Sequence, residues 1–198
     1  MAASSKAEIL RTLRDTSLEP VQLPDLNQPW TTFDDRPGQF AAVLQAVGGR
    51  AVRVRDSEQL NRELEQLPAY AEAKKVCSLV DGIRRANVHI ADATDPHQLE
   101  DVDFFVAPGQ FGVAENGAVW VTDAGVRHRV LYFLTQHLAL VVPAAQLVDN
   151  MYQAYQRLSF AEPGFGLFLS GPSKTADIEQ SLVIGAHGAR SHTVFLVG

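Results

Sequence analysis

The period of the apolar positions changes several times along this chain, and each change marks an element. Phe40, Val43, Leu44 and Val47 recur at helical spacing until Gly48-Gly49 stops the run. Residues 51–55 alternate apolar and charged side chains, the period-two mark of a strand. Asp56 or Ser57 then caps a predicted helix carrying Leu60, Leu64 and Leu67. Residues 76–80 read as a strand and 87–91 as another. Strand and helix in alternation predict an α/β domain.

The middle of the chain follows a different rule. Apolar runs at 102–106, 118–122, 130–134 and 138–142 are joined by short turns. The last three leave no room for crossover helices, so part of the sheet is expected to be antiparallel. Pro143 opens a predicted helix carrying Leu147, Val148, Met151, Tyr155 and Leu158. Residues 166–169 read as a short strand, about 176–185 as a helix, and 193–197 as the closing strand. Together these predict a mixed parallel and antiparallel sheet flanked by helices.

The amino-terminal stretch stands apart. Ser4 or Ser5 caps a short predicted helix through about Arg14, with Ile9, Leu10 and Leu13 on one face. Residues 16–37 hold Pro20, Pro24, Pro29 and Pro37 with little periodicity, which reads as an extended arm. Trp30 and Phe33 are the side chains that would anchor it. The expected division is a helix and proline-rich arm at 1–37 and one domain at 38–198.

Composition narrows the function classes. With 198 residues, 46% hydrophobic and 20% charged, the chain has an ample core for a globular domain. A net charge of −6 argues against nucleic acid, which requires a basic face. The single cysteine, Cys77, lies in an apolar run. It excludes a disulfide framework or a cysteine-held iron–sulfur cluster within the chain. No apolar stretch approaches the roughly 20 residues of a membrane span. Charges interrupt the first residues where a signal peptide is apolar, so a cytoplasmic protein is expected. No cofactor or metal is called for.

The densest chemistry follows the 166–169 strand. Ser170-Gly171-Pro172-Ser173 is a turn, and Lys174-Thr175-Ala176-Asp177-Ile178-Glu179 reads as a helix start with acids in its first turn. Such a junction offers free backbone N–H groups and a positive dipole end to a phosphate or carboxylate. Lys174 adds charge, and Ser170, Ser173 and Thr175 add hydroxyls. A strand-turn-helix junction is equally ordinary α/β punctuation, and the glycines of a Walker A loop are missing. Asp92, Asp95, His97, Glu100, Asp101 and Asp103 cluster in sequence, but their spacing matches no metal loop and reads as a solvated connection. His187, flanked by Gly185 and Gly188, is either a structural hydrogen-bonding group or a ligand-facing acid or base. Arg129, with Arg127 and His128, is either an anion clamp or a solvated strand edge. His137, between two apolar runs, reads as a core or turn residue.

Two segments carry a family resemblance. The string SGPSKTADIEQSLVIGAHGARSHTVFLV, residues 170–197, resembles a long signature of the LUD-domain family. Gly112-Val113-Ala114-Glu115-Asn116-Gly117 resembles that family's second, shorter signature. Lys174 stands where arginine is usual and Ala189 where proline is usual, and lysine gives up the forked contact to a carboxylate. The resemblance implies a fold like that of ribose-5-phosphate isomerase and the CoA transferases. It implies a role in oxidation of L-lactate to pyruvate beside iron–sulfur partner subunits, with a small carboxylate or phosphate as ligand. It also raises an alternative, a stand-alone CoA-transferase-like or sugar-phosphate-like enzyme using Glu115. In that reading Glu115 and His187 are catalytic candidates, and Ser170, Gly171, Ser173, Lys174, Thr175, Asn116 and Arg129 hold the ligand. Glu115 is expected to face the same pocket as the 170–175 turn.

Overall fold

The computed structural model describes residues 5–16, 21–159, 164–176 and 182–198. In chain order the helices and first strands are α1 (Ser5–Asp15), α2 (Arg36–Ala46), β1 (Arg50–Val54), α3 (Ser57–Glu65), α4 (Pro68–Glu72) and β2 (Val76–Ser78). Then come β3 (Phe104–Pro108), β4 (Phe111–Val113), β5 (Ala118–Thr122), α5 (Leu131–Leu134), β6 (His137–Pro143) and β7 (Leu147–Val148). α6 (Met151–Gln156), β8 (Gly166–Leu169), β9 (Lys174–Ala176), β10 (Leu182–Ile184) and β11 (Ser191–Val197) follow.

A five-stranded sheet in the order β1-β11-β6-β3-β2 is the spine, and every pairing in it is parallel. Both of its faces are covered, as parallel sheets require. One face packs Leu60, Leu64, Leu67 and Tyr70 of the α3–α4 side onto Phe104, Val106, Ala139 and Phe195. The other packs Phe40 and Leu44 of α2 onto Leu138, Leu140, Val194 and Leu196. This alternation explains why β3 and β6 read as continuous apolar runs. Aspartates cap two of the helices: Asp35 accepts from Gly38 N–H and Asp56 from Gln59 N–H.

A second sheet, β7-β4-β5-β8, lies beside the first, and its β4-β5 and β5-β8 pairings are antiparallel. Antiparallel pairing is therefore present, but not where the short turns implied. Residues 131–134 form a helical turn, because Val130 to Leu134 bury Leu131 and Tyr132 against the core as a turn can. That turn lets β6 leave the second sheet and run parallel to β3 and β11.

Two predicted helices are corrected. Pro143 ends β6; a 3-10 turn and β7 follow, and Asn150 caps a shorter helix from Met151 by accepting from Gln153 N–H. Leu147 and Val148 had matched helical spacing, but they are buried by pairing with Gly112 and Val113. At its described ends, the helix expected over about 176–185 gives way to antiparallel pairing of β9 with β10. Thr175, Val183 and Ile184 are β-branched, which suits a ladder. Residues 177–181, the centre of that expectation, lie outside the described residues.

The arm is fastened at its far end. Trp30 stacks on Tyr152 at 5.2 Å between ring centroids. Phe33 packs against the main core, and its N–H donates to Asp149 at 3.0 Å. Asp149 is buried and also accepts from Arg36 Nε and Nη2, at 2.8 and 2.9 Å, which holds its carboxyl below the usual range. By contrast, no residue of α1 is buried.

Candidate functional site

The 170–174 turn is shaped by contact with the end of α2. Gly171 has φ 74°, a left-handed conformation that glycine tolerates, and a Cβ there would lie 2.7 Å from the Val47 carbonyl oxygen. Lys174 Nζ donates to that same carbonyl. Ser173 N–H donates to the Ala189 carbonyl at 2.9 Å, and the Ser173 carbonyl accepts from Gly185 N–H at 2.9 Å. The 185–189 segment is thereby strapped to the turn. Gly188 sits so close that a Cβ would meet Ser173 Cβ at 2.9 Å.

These contacts enclose a cleft of about 340 Å³. Ser170, Gly171, Ser173, Lys174 and His187 form its polar rim. Tyr132, Phe133, Leu138 and Phe168 form its apolar floor. Tyr132 O–H donates to the Thr122 carbonyl, and burial pushes its phenol up to about 12. The Ser173 hydroxyl and the His187 ring make no hydrogen bond among the described residues. The rim therefore keeps donors for a ligand, although the helix dipole expected at Lys174 is replaced by a strand.

The other expected residues lie elsewhere. Thr175 is on β9, opposite Val183. Glu115 is exposed, does not line the cleft, and accepts the Met151 N–H at the start of α6 at 2.8 Å. Asn116 Oδ1 accepts from Ala118 N–H, and the Asn116 carbonyl accepts from Ser170 Oγ at 2.8 Å. Asn116 thus braces the turn from behind. Arg129 stacks over Phe165 at 4.9 Å and lies 3.9 Å from Asp123, away from the cleft. Arg127 and His128 meet the carbonyls of Ala91 and Ala93. The acidic segment spends its groups locally: Asp95 caps a 3-10 turn, Asp101 pairs with Lys75, and Asp103 accepts two backbone N–H groups. Among the described residues no group of His, Cys, Asp and Glu is arranged to hold a metal.

Sequence reasoning missed two things here. One is the Asp149–Arg36 pair, separated by 113 positions and invisible to local pattern. The other is His192, buried on β11 with both ring nitrogens unpartnered among the described residues and pushed down to about 4 by burial. It pairs in register with Leu138, so it shares the face that the cleft floor belongs to.

The LUD domain model matches residues 38–197. The chain belongs to the LUD-domain family. The match begins just inside α2 and leaves out the arm. Proteins called lactate utilization protein C are similar to it. The one from Geobacillus thermodenitrificans is 27% identical over 94% of this chain and 77% of its own length. The one from Halalkalibacterium halodurans is 31% identical over 56% of this chain, a match spanning 52% of that relative. The crystal structure of a DUF162 family protein from Deinococcus radiodurans shares the fold. Its TM-score is 0.62 at 18% identity, covering 82% of this chain and 96% of that one. No helix among the described residues is long and apolar enough to cross a membrane.

Proposed function

We propose that this LUD-domain chain is a component of L-lactate utilization that holds a small carboxylate in the cleft rimmed by the 170–174 turn and His187. Iron–sulfur subunits are its partners in the oxidation of lactate to pyruvate, since one buried cysteine supplies no cluster of its own. The observation that carries the reading is the match to lactate utilization protein C along 94% of the chain. Supporting it are the Ser173 hydroxyl, the His187 ring and the Lys174 charge around an apolar floor that fits a short carbon chain. The parallel five-stranded sheet is in keeping with kinship to the ribose-5-phosphate isomerase and CoA-transferase fold. Glu115 is already engaged with the Met151 N–H outside the cleft, which weighs against an enzyme built on its carboxylate.

The test is growth on L-lactate as carbon source in the host lacking this chain. Restoring the chain restores growth, and His187→Ala restores it poorly while accumulating as folded protein. Growth on lactate that is indifferent to the deletion removes the reading.

A further inference from the structure

A second cleft, of about 330 Å³, lies at the amino-terminal edge of the parallel sheet, on the face opposite the α2 side. Its construction follows from strand register. Phe104, His137 and Ser191 are direct neighbours across β3, β6 and β11. Thr193 is two residues further along β11 and therefore on the same face, and Arg50 of β1 is its partner. Leu67, Pro68 and Ala69, at the start of α4, line the other side.

The chemistry of this row is specific. His137 Nδ1 lies 2.8 Å from Ser191 Oγ, and its ring stacks on Phe104 with centroids 6.1 Å apart. Burial, then the nearby Arg190 charge, lower the His137 pKa, while Asp103 opposes them. Nδ1 and the Ser191 hydroxyl share one hydrogen bond, which fixes the ring in the row. The ring's Nε2 has no hydrogen-bond partner among the described residues. Arg50 is exposed and has no ion pair among the described residues. The cleft thus joins an apolar lining, one guanidinium without an ion pair and one ring nitrogen without a partner among the described residues.

We propose that this cleft binds a small monocarboxylate with an aromatic or branched apolar body. The carboxylate meets Arg50 and His137 Nε2, and the body lies against Phe104, Leu67 and Ala69. An apolar cleft with few convergent polar groups is the usual design of a small-molecule site. The guanidinium fork suits a carboxylate better than a neutral amide.

Phenylacetate is the probe, and phenylacetamide its uncharged control, titrated calorimetrically into the full chain. Phenylacetate binds saturably, and phenylacetamide binds at least about tenfold more weakly. Arg50→Met and Ala69→Phe each cut phenylacetate affinity by a similar factor with unchanged melting, whereas Lys174→Ala leaves it alone. If neither the chain nor a variant that melts normally shows saturable binding, the site is refuted. Equal affinity in Arg50→Met also refutes it, and loss confined to Lys174→Ala assigns the probe to the other cleft.

Discussion

The 115–117 turn and the 170–174 turn touch, yet they differ in what they leave unspent. In the first, one polar group of each residue is tied to the surrounding backbone. Glu115 takes the Met151 N–H, Asn116 Oδ1 takes the Ala118 N–H, and Gly117 N–H goes to the Val113 carbonyl. In the second, the backbone of Ser173 is consumed, but among the described residues its hydroxyl and the neighbouring His187 ring are not, and both border a cleft. A turn whose groups are all paired is a joint. A turn that keeps hydrogen-bonding capacity beside an apolar floor is where a ligand gains affinity. Both segments belong to the family resemblance, so motif alone does not separate the two roles.

The contrast extends behind the rim to His192, which makes the largest prediction. Its ring is buried neutral, so folding excludes a proton that the unfolded chain takes up near pH 6.5. The folded pKa is depressed, so the stability it permits is full above about pH 6.5. It falls as pH drops through the window down to about 4. At about 1.4 kcal/mol per pH unit, the loss totals about 3 kcal/mol. Urea unfolding at neutral and acid pH measures it, and His192→Leu should flatten that limb. An equally steep limb in the variant assigns the loss to other groups.

Next in size is the joint itself. Gly117 has φ 65°, and a Cβ there would lie 2.9 Å from the Leu44 backbone nitrogen. Gly117→Ala should cost about 2 kcal/mol through strain and displacement of α2. Thermal unfolding reads the change, and an unaltered melting temperature breaks the description of this turn as a joint.

Smaller still is Glu115→Ala. Losing one carboxylate contact at a helix start should cost about 0.5–1 kcal/mol and leave ligand binding in the cleft unchanged. Loss of lactate-dependent growth with a folded protein would overturn the comparison, because Glu115 would then be chemistry rather than a brace.

Periodicity located the strands β1, β3, β6 and β11, but β6, expected in the antiparallel part, pairs parallel with both of its neighbours. The helix caps Asp56 and Asp35 follow the same local logic, though only the first was foreseen. Periodicity failed at 147–148, where pairing with the distant residues 112–113 overrides a helical pattern, and at 174–176 and 182–184, where β-branched residues favour a ladder. Ser170, Ser173, Lys174 and His187 line one cleft because one continuous motif holds them together. Arg129 lies away from the cleft because its guanidinium stacks over Phe165 and faces Asp123, contacts with no sequence signal. The same holds for His137 and Ser191, joined by strand register across 54 positions.

The central claim is that the 170–174 cleft takes a small carboxylate, and calorimetric titration of L-lactate and pyruvate into the full chain tests it most directly. The account predicts saturable binding of at least one of them, weakened by salt. In Lys174→Ala and in His187→Ala, affinity should fall at least about tenfold while melting stays unchanged. No binding by either acid, or equal affinity in both variants, would contradict it.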